Sequence, residues 1–321
     1  MKKVVVTYNM FRAGYAELMK KYEVIFPPEG REVFTYDEVY EMMPEIDALQ
    51  SMYNFPVDKK LMDHSPKLKI VSNYAVGFDN IDIPYATSKG IQVTNTPDPV
   101  TEPTADMAMG LILASMRRIA DCDRRLRTPG ALEWGLLDNL GYSLFGKTLG
   151  IYGMGRIGQA LARRAIASGM KIIYHNRHKV SPEVEARYTA KYVSMEELLR
   201  TADVVSINAP STPETYHVIN AESIRLMKKT AVLVNTARGT LVDELALAKA
   251  LKEKVIWGAG LDVFEFGHTV SPELLEQENV VLTPHIGTQT FDVRNEMAEC
   301  VSQNIINFFE GGPISKVNII E

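Results

Sequence analysis

The chain has 321 residues, with 35 Lys or Arg against 40 Asp or Glu, so its formal net charge is −5. At roughly 150 residues per domain this length predicts about two domains, and the 46% hydrophobic content excludes a disordered, collagen-like or coiled-coil chain. The acidic balance does not suit binding to nucleic acid or to an anionic membrane.

Short apolar runs alternate with polar helical segments from the N-terminus to Thr94. The runs predict strands at Val4–Tyr8, Tyr22–Phe26, Asp47–Met52, Leu68–Tyr74 and Ile91–Thr94. The segments between them predict helices near Phe11–Lys21, Tyr36–Met43, Asp58–His64 and Ile81–Lys89. This alternation is typical of parallel strands joined by crossover helices, and so predicts one small open sheet.

A break follows at Asn95–Pro99, where two prolines and turn-forming residues cannot continue a sheet. Beyond it, one helix is predicted from Pro103 to about Arg127, with five arginines towards its end. Basic residues suit the carboxyl end of a helix dipole. We expect these arginines to form a solvated helix end, with a phosphate or partner site as the alternative.

A second alternating set begins at Lys147. It predicts strands at Thr148–Tyr152, Lys171–His175, Val204–Asn208, Ala231–Asn235, Gly258–Val263 and Val280–Thr283. A final amphipathic helix is predicted from about Thr290 to Glu310, before Gly311-Gly312-Pro313. No strand follows this helix in its own sheet, so we expect it to cross back to the first domain.

A glycine-rich motif joins the first strand of the second set to a helix. It reads Gly153-Met154-Gly155-Arg156-Ile157-Gly158, matching GxGxxG between an apolar strand and a helix start. In that context the three glycines permit a tight turn, close approach of a pyrophosphate, and close packing of helix and strand. The helix N-terminus offers amide groups to phosphates. The alternative is a strand-to-helix turn that binds no ligand.

The end of the next strand predicts which dinucleotide is used. NAD-binding folds place a carboxylate about 20 residues after the motif, to bind the ribose 2′-hydroxyl. Asn176 stands 18 residues after Gly158, and Arg177 follows it. A neutral Asn does not repel a 2′-phosphate, and Arg can pair with one. We predict NADP(H) in preference to NAD(H), with Arg177 and Lys179 as ordinary loop charges being the alternative.

Three polar side chains lie near or just after the ends of later strands of the second set: Arg238, Asp262 and His285. In a doubly wound sheet the carboxyl ends of the strands line one crevice, where ligands bind. We therefore expect these three residues to converge beside the dinucleotide.

Six motifs in order give the chain a family resemblance over nearly its whole length. They are Asn73–Asp82, Thr101–Asp106, Gly153–Gly158, Asn235–Gly239, Gly260–Phe264 and Thr283–Gly287. The chain resembles the D-2-hydroxyacid dehydrogenases, and within them the glyoxylate/hydroxypyruvate and 2-ketogluconate reductase branch. This resemblance implies reduction of a 2-keto acid to the D-2-hydroxy acid by a nicotinamide cofactor.

The resemblance also implies an α/β architecture of two doubly wound parallel-sheet domains. We expect a Rossmann cofactor domain over residues 100–288. A flavodoxin-like substrate domain is expected to be discontinuous, built from 1–99 and 289–321. Two crossings between the domains predict a hinge. A homodimer formed largely through the cofactor domain is expected.

Roles for individual residues follow from the same resemblance. Arg238 matches the residue that holds the substrate carboxylate and polarises the keto oxygen, and the amides of Val76 and Gly77 match the loop that cradles that carboxylate. His285 matches the general acid, which acts as the base in reverse. Asp262 matches the residue that orients the nicotinamide carboxamide. Further cofactor contacts are expected from residues 153–158 and from Asn176, Arg177, Ala209, Pro210, Thr236, Ala237 and Gly287.

One position departs from the family pattern. The family places a Glu five residues after the Asp of the GLDVF motif, where it orients the catalytic His; this chain has Gly267. Three interpretations stay open. In the first, His285 acts without that Glu and catalyses less effectively. In the second, Glu265 replaces the missing Glu, which requires the backbone to turn near residue 265. In the third, catalysis is lost. The last would make the protein a catalytically weak or inactive dinucleotide-binding regulator.

The remaining polar and aromatic residues give weaker indications. Cys122 and Cys300 form no CxxC pair or Cys/His cluster, so we expect two thiols in a reducing compartment and no metal site. With no signal peptide or membrane-spanning run, a cytoplasmic protein is expected. Tyr53 and Asn54 could select the substrate or lie in a surface loop, and Trp134 is expected to pack between domains or subunits.

Overall fold

The computed structural model describes residues 1–52 and 54–320; Tyr53 thus lies outside the described residues. The chain forms two compact units, Met1–Val100 with Thr288–Glu321, and Thr101–Gly287. Within the described residues, no helix combines the length and apolarity needed to cross a membrane.

The first unit is built on a five-stranded sheet. Its strands are β1 (Lys3–Val6), β2 (Glu23–Ile25), β3 (Ala48–Met52), β4 (Ile70–Tyr74) and β5 (Gln92–Thr94). Its first helices are α1 (Ala16–Lys21), α2 (Tyr36–Met42), α3 (Lys59–Asp63) and α4 (Ile83–Ser88). The strand order is β2-β1-β3-β4-β5, and every pairing is parallel.

The second unit is built on a seven-stranded sheet. Its strands are β6 (Thr148–Tyr152), β7 (Lys171–His175), β8 (Ala190–Tyr192), β9 (Val204–Ile207), β10 (Val232–Asn235), β11 (Gly258–Leu261) and β12 (Val280–Leu282). Its helices are α5 (Thr101–Met116), α6 (Ile119–Leu126), α7 (Arg156–Ala167), α8 (Pro182–Tyr188), α9 (Met195–Thr201), α10 (Ala221–Leu226), α11 (Glu244–Lys252) and α12 (Pro272–Leu275). The order is β12-β11-β10-β9-β6-β7-β8, again wholly parallel.

The long C-terminal helix, α13 (Phe291–Glu310), belongs to the first unit. Thr290 caps its amino end, and Gly311, at a φ of +80°, ends it in the left-handed conformation that glycine adopts without strain. Its apolar stripe packs into the core on one face of the five-stranded sheet, with Val301 and Ile305 fully buried. The helix therefore completes one layer of this α/β unit.

Both strand orders are those of doubly wound folds, and the predicted fold class is confirmed. The first order, 2-1-3-4-5, is flavodoxin-like. In the second, β8-β7-β6-β9-β10-β11 is the Rossmann order 3-2-1-4-5-6, with β12 added at one edge. Helices cover both faces of the seven-stranded sheet, so β9 and β10 are buried along their whole length. This is why they are nearly continuous apolar runs in the sequence, interrupted by Ser206 in β9 and ended by Asn235 in β10.

The prediction of one helix from Pro103 to Arg127 was wrong, because two helices occupy this segment. Arg118 has a φ of +56°, a left-handed conformation that ends α5 before α6 starts. Its guanidinium donates to Asp121 at 2.5 Å, and Arg124 donates to the same carboxylate. These two arginines therefore pair with Asp121, while Arg117, Arg124 and Arg127 are exposed, as expected for a solvated helix end.

The strand β8 was not predicted. It has only three residues and lies at the edge of the sheet, paired with β7 alone. A run of this length carries too little periodicity to be recognised from sequence.

The C-terminal tail gives a test of how the first unit is held together. Asn318 is buried beside β5, where its oxygen accepts from the Val93 and Gln92 nitrogens and its amide donates to Thr87 and Ile91. We expect Asn318→Ala to lower the free energy of unfolding by about 2–4 kcal/mol, since buried partners lose hydrogen bonds. Urea unfolding measures this. Gln303→Ala on the exposed face of α13 is the control; equal stability of both variants would contradict the assignment.

Candidate active site

The glycine-rich turn lies where the strand order of the seven-stranded sheet reverses, between β6 and β9. Gly153 has a φ of +101°, and a Cβ there would lie 2.7 Å from the backbone of Asn208 and Ala209. A Cβ on Gly158 would lie 2.3 Å from the Gly153 oxygen. A Cβ on Gly155 would have no other atom within 4 Å. Two glycines are thus required by packing, and the third leaves open space at the amino end of α7 for a phosphate.

Asn176 holds this turn in place. Its Oδ1 accepts a hydrogen bond of 2.6 Å from the Met154 amide, and the Tyr192 hydroxyl donates to its backbone oxygen at 3.2 Å. Arg177, next in the chain, is exposed. A hydrogen bond from Thr212 lowers the pKa of Glu214, and the charge of Arg177 lowers it further, so Arg177 acts near the loop after β9. Asn176 therefore shapes the turn, an effect that its spacing alone did not predict.

At the ends of two neighbouring strands lie buried side-chain oxygens that accept no hydrogen bond from the protein. Among the described residues, Asn208 Oδ1 and Thr236 Oγ1 are buried and have no hydrogen-bond partner. Asn208 follows β9 and Thr236 follows β10, so both lie at the same edge as the glycine-rich turn. Buried polar atoms are rarely left unsatisfied, and such atoms beside an open glycine turn fit a dinucleotide that supplies their partners.

A short turn presents Arg238 after β10. Asn235 organises it, because its oxygen accepts from the Ala237 amide at 3.0 Å and its amide donates to the Arg238 carbonyl at 2.8 Å. The guanidinium also donates to the Ala237 carbonyl. Gly239 passes so close to the next loop that a Cβ there would lie 1.9 Å from the Phe264 carbonyl. The arginine is thus mounted on a turn with little freedom to move.

Asp262 ties down the loop that carries His285. Its carboxylate is almost fully buried and accepts from Thr283 Oγ1 at 2.6 Å, the Ile286 amide at 2.9 Å and the Gly287 amide at 2.8 Å. His285 has a φ of +55°, a conformation that a non-glycine residue keeps only when its surroundings fix it. The carboxylate of Asp262 therefore determines where this loop and its histidine lie.

The segment after β11 turns sharply at Gly267. The Gly267 amide donates to the Phe264 carbonyl at 3.3 Å, and Gly267 has a φ of +70°. Glu265, the residue that the sequence offered as a replacement for the missing Glu, makes two other contacts. Its Oε1 lies 2.6 Å from His217 Nε2, and its Oε2 accepts from the Glu244 amide at 3.0 Å. Both oxygens are thus engaged by groups other than His285.

Val76 and Gly77 lie in the loop after β4, in the other unit. Asn95 donates to the Val76 carbonyl at 2.9 Å and Asn73 donates to the Gly77 carbonyl at 2.7 Å. The N–H that follows a carbonyl in a trans peptide points the opposite way. Holding the Val76 carbonyl thus directs the Gly77 amide to the other side of the loop. The Val76 amide is directed in the same way by the Ala75 carbonyl, which accepts from the Thr96 amide at 3.1 Å. The sequence motif contained Asn73, but its role was not predicted.

Comparison with known proteins identifies relatives along the whole chain. Residues 109–287 match the family model described as "D-isomer specific 2-hydroxyacid dehydrogenase, NAD binding domain". Glyoxylate reductase of Thermococcus litoralis is 47% identical over 319 residues, covering 96% of this chain and 94% of that protein.

Solved structures agree with this result. A glyoxylate reductase from Paecilomyces thermophila matches with a TM-score of 0.89 and 36% identity, over 98% of both chains. A second match is an NADPH-dependent glyoxylate/hydroxypyruvate reductase from Sinorhizobium meliloti, in complex with NADP and malonate. It has a TM-score of 0.85 and 32% identity, over 98% of this chain and 96% of that one.

The close approach at Gly239 is directly testable. We expect Gly239→Ala to destabilise the second unit by about 2 kcal/mol or more, because the added methyl group meets backbone atoms that cannot give way. Thermal unfolding measures this. The control is Gly110→Ala, at an exposed position of α5 with nothing within 4 Å. There the substitution is expected to stabilise slightly; similar melting of the two variants would contradict the packing argument.

Proposed function

This chain belongs to the D-isomer specific 2-hydroxyacid dehydrogenase family and is an NAD(P)-dependent oxidoreductase. We propose that it reduces a small 2-keto acid, of the glyoxylate, hydroxypyruvate or 2-ketogluconate type, to the D-2-hydroxy acid, with NADPH preferred. One observation carries the proposal. The glycine-rich turn, Arg238 and the His285 loop held by Asp262 all lie at the carboxyl edge of one parallel sheet.

The proposed chemistry needs few protein groups. The guanidinium of Arg238 binds the substrate carboxylate bidentately and polarises the keto oxygen. The amides of Val76 and Gly77 keep the carboxylate-binding role that the family resemblance gives them. His285 donates a proton to that oxygen as the alcohol forms, and accepts it in the reverse direction. The nicotinamide cofactor, when bound, supplies the hydride. Asp262 Oδ2 accepts from the Gly287 amide at 2.8 Å, and a carboxylate oxygen has a second lone pair that can accept from the amide of the nicotinamide carboxamide.

Cofactor preference is proposed from the end of β7. Asn176 brings no negative charge, and its Oδ1 is used by the Met154 amide. Arg177, His178 and Lys179 are exposed beside it. A ribose 2′-phosphate would meet an amide at residue 176, where NAD-binding folds have a carboxylate, and a guanidinium able to pair with it at residue 177. The S. meliloti relative, described as NADPH-dependent, supports the same preference.

Initial rates test the activity and the cofactor together. We expect oxidation of NADPH with hydroxypyruvate, glyoxylate or 2-ketogluconate to exceed oxidation of NADH, and His285→Ala to abolish it. Arg177→Gln should raise KM for NADPH by about tenfold, the equivalent of one charged contact, and leave NADH unaffected. Arg200→Gln, at an exposed ion pair with Glu196, is the matched control.

Two other outcomes would contradict parts of the proposal. Faster oxidation of NADH would overturn the cofactor preference alone. Tight binding of NADPH without turnover of any 2-keto acid would favour the alternative function, a dinucleotide-binding regulator.

The departure at Gly267 generates a further prediction. Nothing lies within 4 Å of a Cβ at this position, so a longer side chain fits, although its left-handed φ adds some strain. Gly267→Glu should raise kcat several-fold above Gly267→Gln, because the family's Glu at this position orients the catalytic His, and a negative charge there favours the imidazolium that donates the proton. The Gln variant has the same strain and size. Equal rates for the two would mean that a carboxylate at 267 does not act on the histidine.

We propose a homodimer that uses the segment from α6 to β6. Large apolar side chains are exposed along it, namely Ile119, Leu126, Trp134, Leu136, Leu137, Leu140 and Phe145. Trp134 and Leu136 are 87% and 98% exposed. A monomer rarely exposes so continuous an apolar segment, which marks an interaction surface. A second copy of the chain is the partner that the family relationship favours.

Light scattering tests this assembly. The wild type should have about twice the 35.9 kDa mass of the chain, and a double variant Leu136→Asp, Leu137→Asp should become monomeric, since charges do not bury in an apolar interface. Met19→Asp, at a half-exposed apolar position in α1, is the control. A monomeric wild type would contradict the proposal.

A further inference from the structure

The turn that carries Arg238 is enclosed by two loops. On one side, a Cβ on Gly239 would lie 1.9 Å from the Phe264 carbonyl and 2.4 Å from the Glu265 amide nitrogen. On the other side, the Thr240 carbonyl accepts from the His217 amide at 3.0 Å. We call residues 238–241 the arginine turn. Its position depends on both of its neighbours.

Glu265 joins these two neighbouring loops directly. Its Oε1 lies 2.6 Å from His217 Nε2, and the Tyr216 ring stacks on the His217 ring at 3.9 Å. The side chains of His217 and Glu265 are only 25% and 12% exposed, so water competes weakly for this bond. A hydrogen bond to a carboxylate in such a place is stronger than a neutral one. The Glu265–His217 bridge therefore links the loops across the arginine turn.

The bridge has a firm anchor on α11. Glu265 Oε2 accepts from the Glu244 amide at 3.0 Å, and the Glu244 carboxylate accepts in return from the Glu265 amide at 3.0 Å and from the Ser271 amide at 2.7 Å. Glu244 is 2% exposed. These reciprocal bonds fix the loop from Glu265 to Ser271 at both ends. His217 is thus held against a fixed point.

We propose that Glu265 and His217 are positioning residues for Arg238, and that their bridge sets how tightly the arginine binds the substrate carboxylate. The inference rests on the proposed function, which makes Arg238 the substrate-binding group. A guanidinium binds a carboxylate bidentately only when its plane is aligned, and small misplacements are costly in rate and affinity. Glu265 bonds to His217 and to the Glu244 amide, whereas the glycine-rich turn is held by Asn176, so cofactor binding should not depend on the bridge.

Two single variants break the bridge from opposite ends. Glu265→Gln replaces one acceptor oxygen by an amide, so it cannot satisfy both His217 and the Glu244 amide. His217→Asn is compatible with the left-handed φ of +49° at this position. It leaves the Glu265–Glu244 contacts intact, so it still tests the bridge if Glu265→Gln folds poorly. Glu196→Gln, which breaks the exposed pair with Arg200, is the matched control.

The readouts separate positioning from general structure. Each bridge variant should raise KM for the keto acid by about 5- to 20-fold, with a smaller change in kcat and an unchanged Kd for NADPH. Calorimetric binding of oxalate to the NADPH-saturated protein should weaken by the same factor. The double variant should be no worse than the worse single variant, since both remove one interaction.

Several results would overturn the inference. One is an unchanged KM for the keto acid and an unchanged oxalate affinity in both single variants. Another is a parallel loss of kcat and of NADPH binding. A third is a double variant whose loss of oxalate affinity is the sum of the two single losses. A wild type that binds oxalate without turnover refutes the proposed function, and the oxalate affinities of the variants still decide on the bridge. A wild type that does not bind oxalate at all overturns both.

Discussion

The buried carboxylate of Asp262 is the constraint on which the rest of the site depends. It lies at the end of β11 and accepts three hydrogen bonds from the loop after β12, so it links two neighbouring strand ends. A carboxylate this deeply buried is costly unless its lone pairs are satisfied, so the loop that satisfies them has little choice of conformation. The left-handed backbone of His285 is maintained in this way.

Other polar side chains apply the same principle around the site. Asn235 shapes the turn of Arg238, Asn176 the glycine-rich turn, and Asn73 and Asn95 the loop of Val76 and Gly77. In each case the side-chain amide of an Asn fixes a nearby peptide group. This holds the neighbouring residue that is proposed to contact a ligand in its position. The groups proposed to contact ligands are thus held by residues that do not themselves perform the chemistry.

Sequence periodicity and motif context predicted the two parallel sheets, the glycine-rich turn and the strand ends that carry Arg238, Asp262 and His285. They did not predict the partners of polar side chains. Glu265 illustrates the reason, since its contact with His217 joins residues 48 apart in the chain, and no local pattern encodes such a pair. The break at Arg118 was also missed, because apolar spacing continues across a residue whose backbone leaves the helix.

The proposed reaction is the transfer of a hydride from NADPH to the keto carbon of a 2-keto acid. The most direct test is to supply hydroxypyruvate with NADPH that carries deuterium at the transferring position of the nicotinamide. Mass spectrometry and chiral analysis of the product then follow the label. We expect D-glycerate with deuterium at C2. Unlabelled glycerate, the L-isomer, or no glycerate while NADPH stays bound would contradict it.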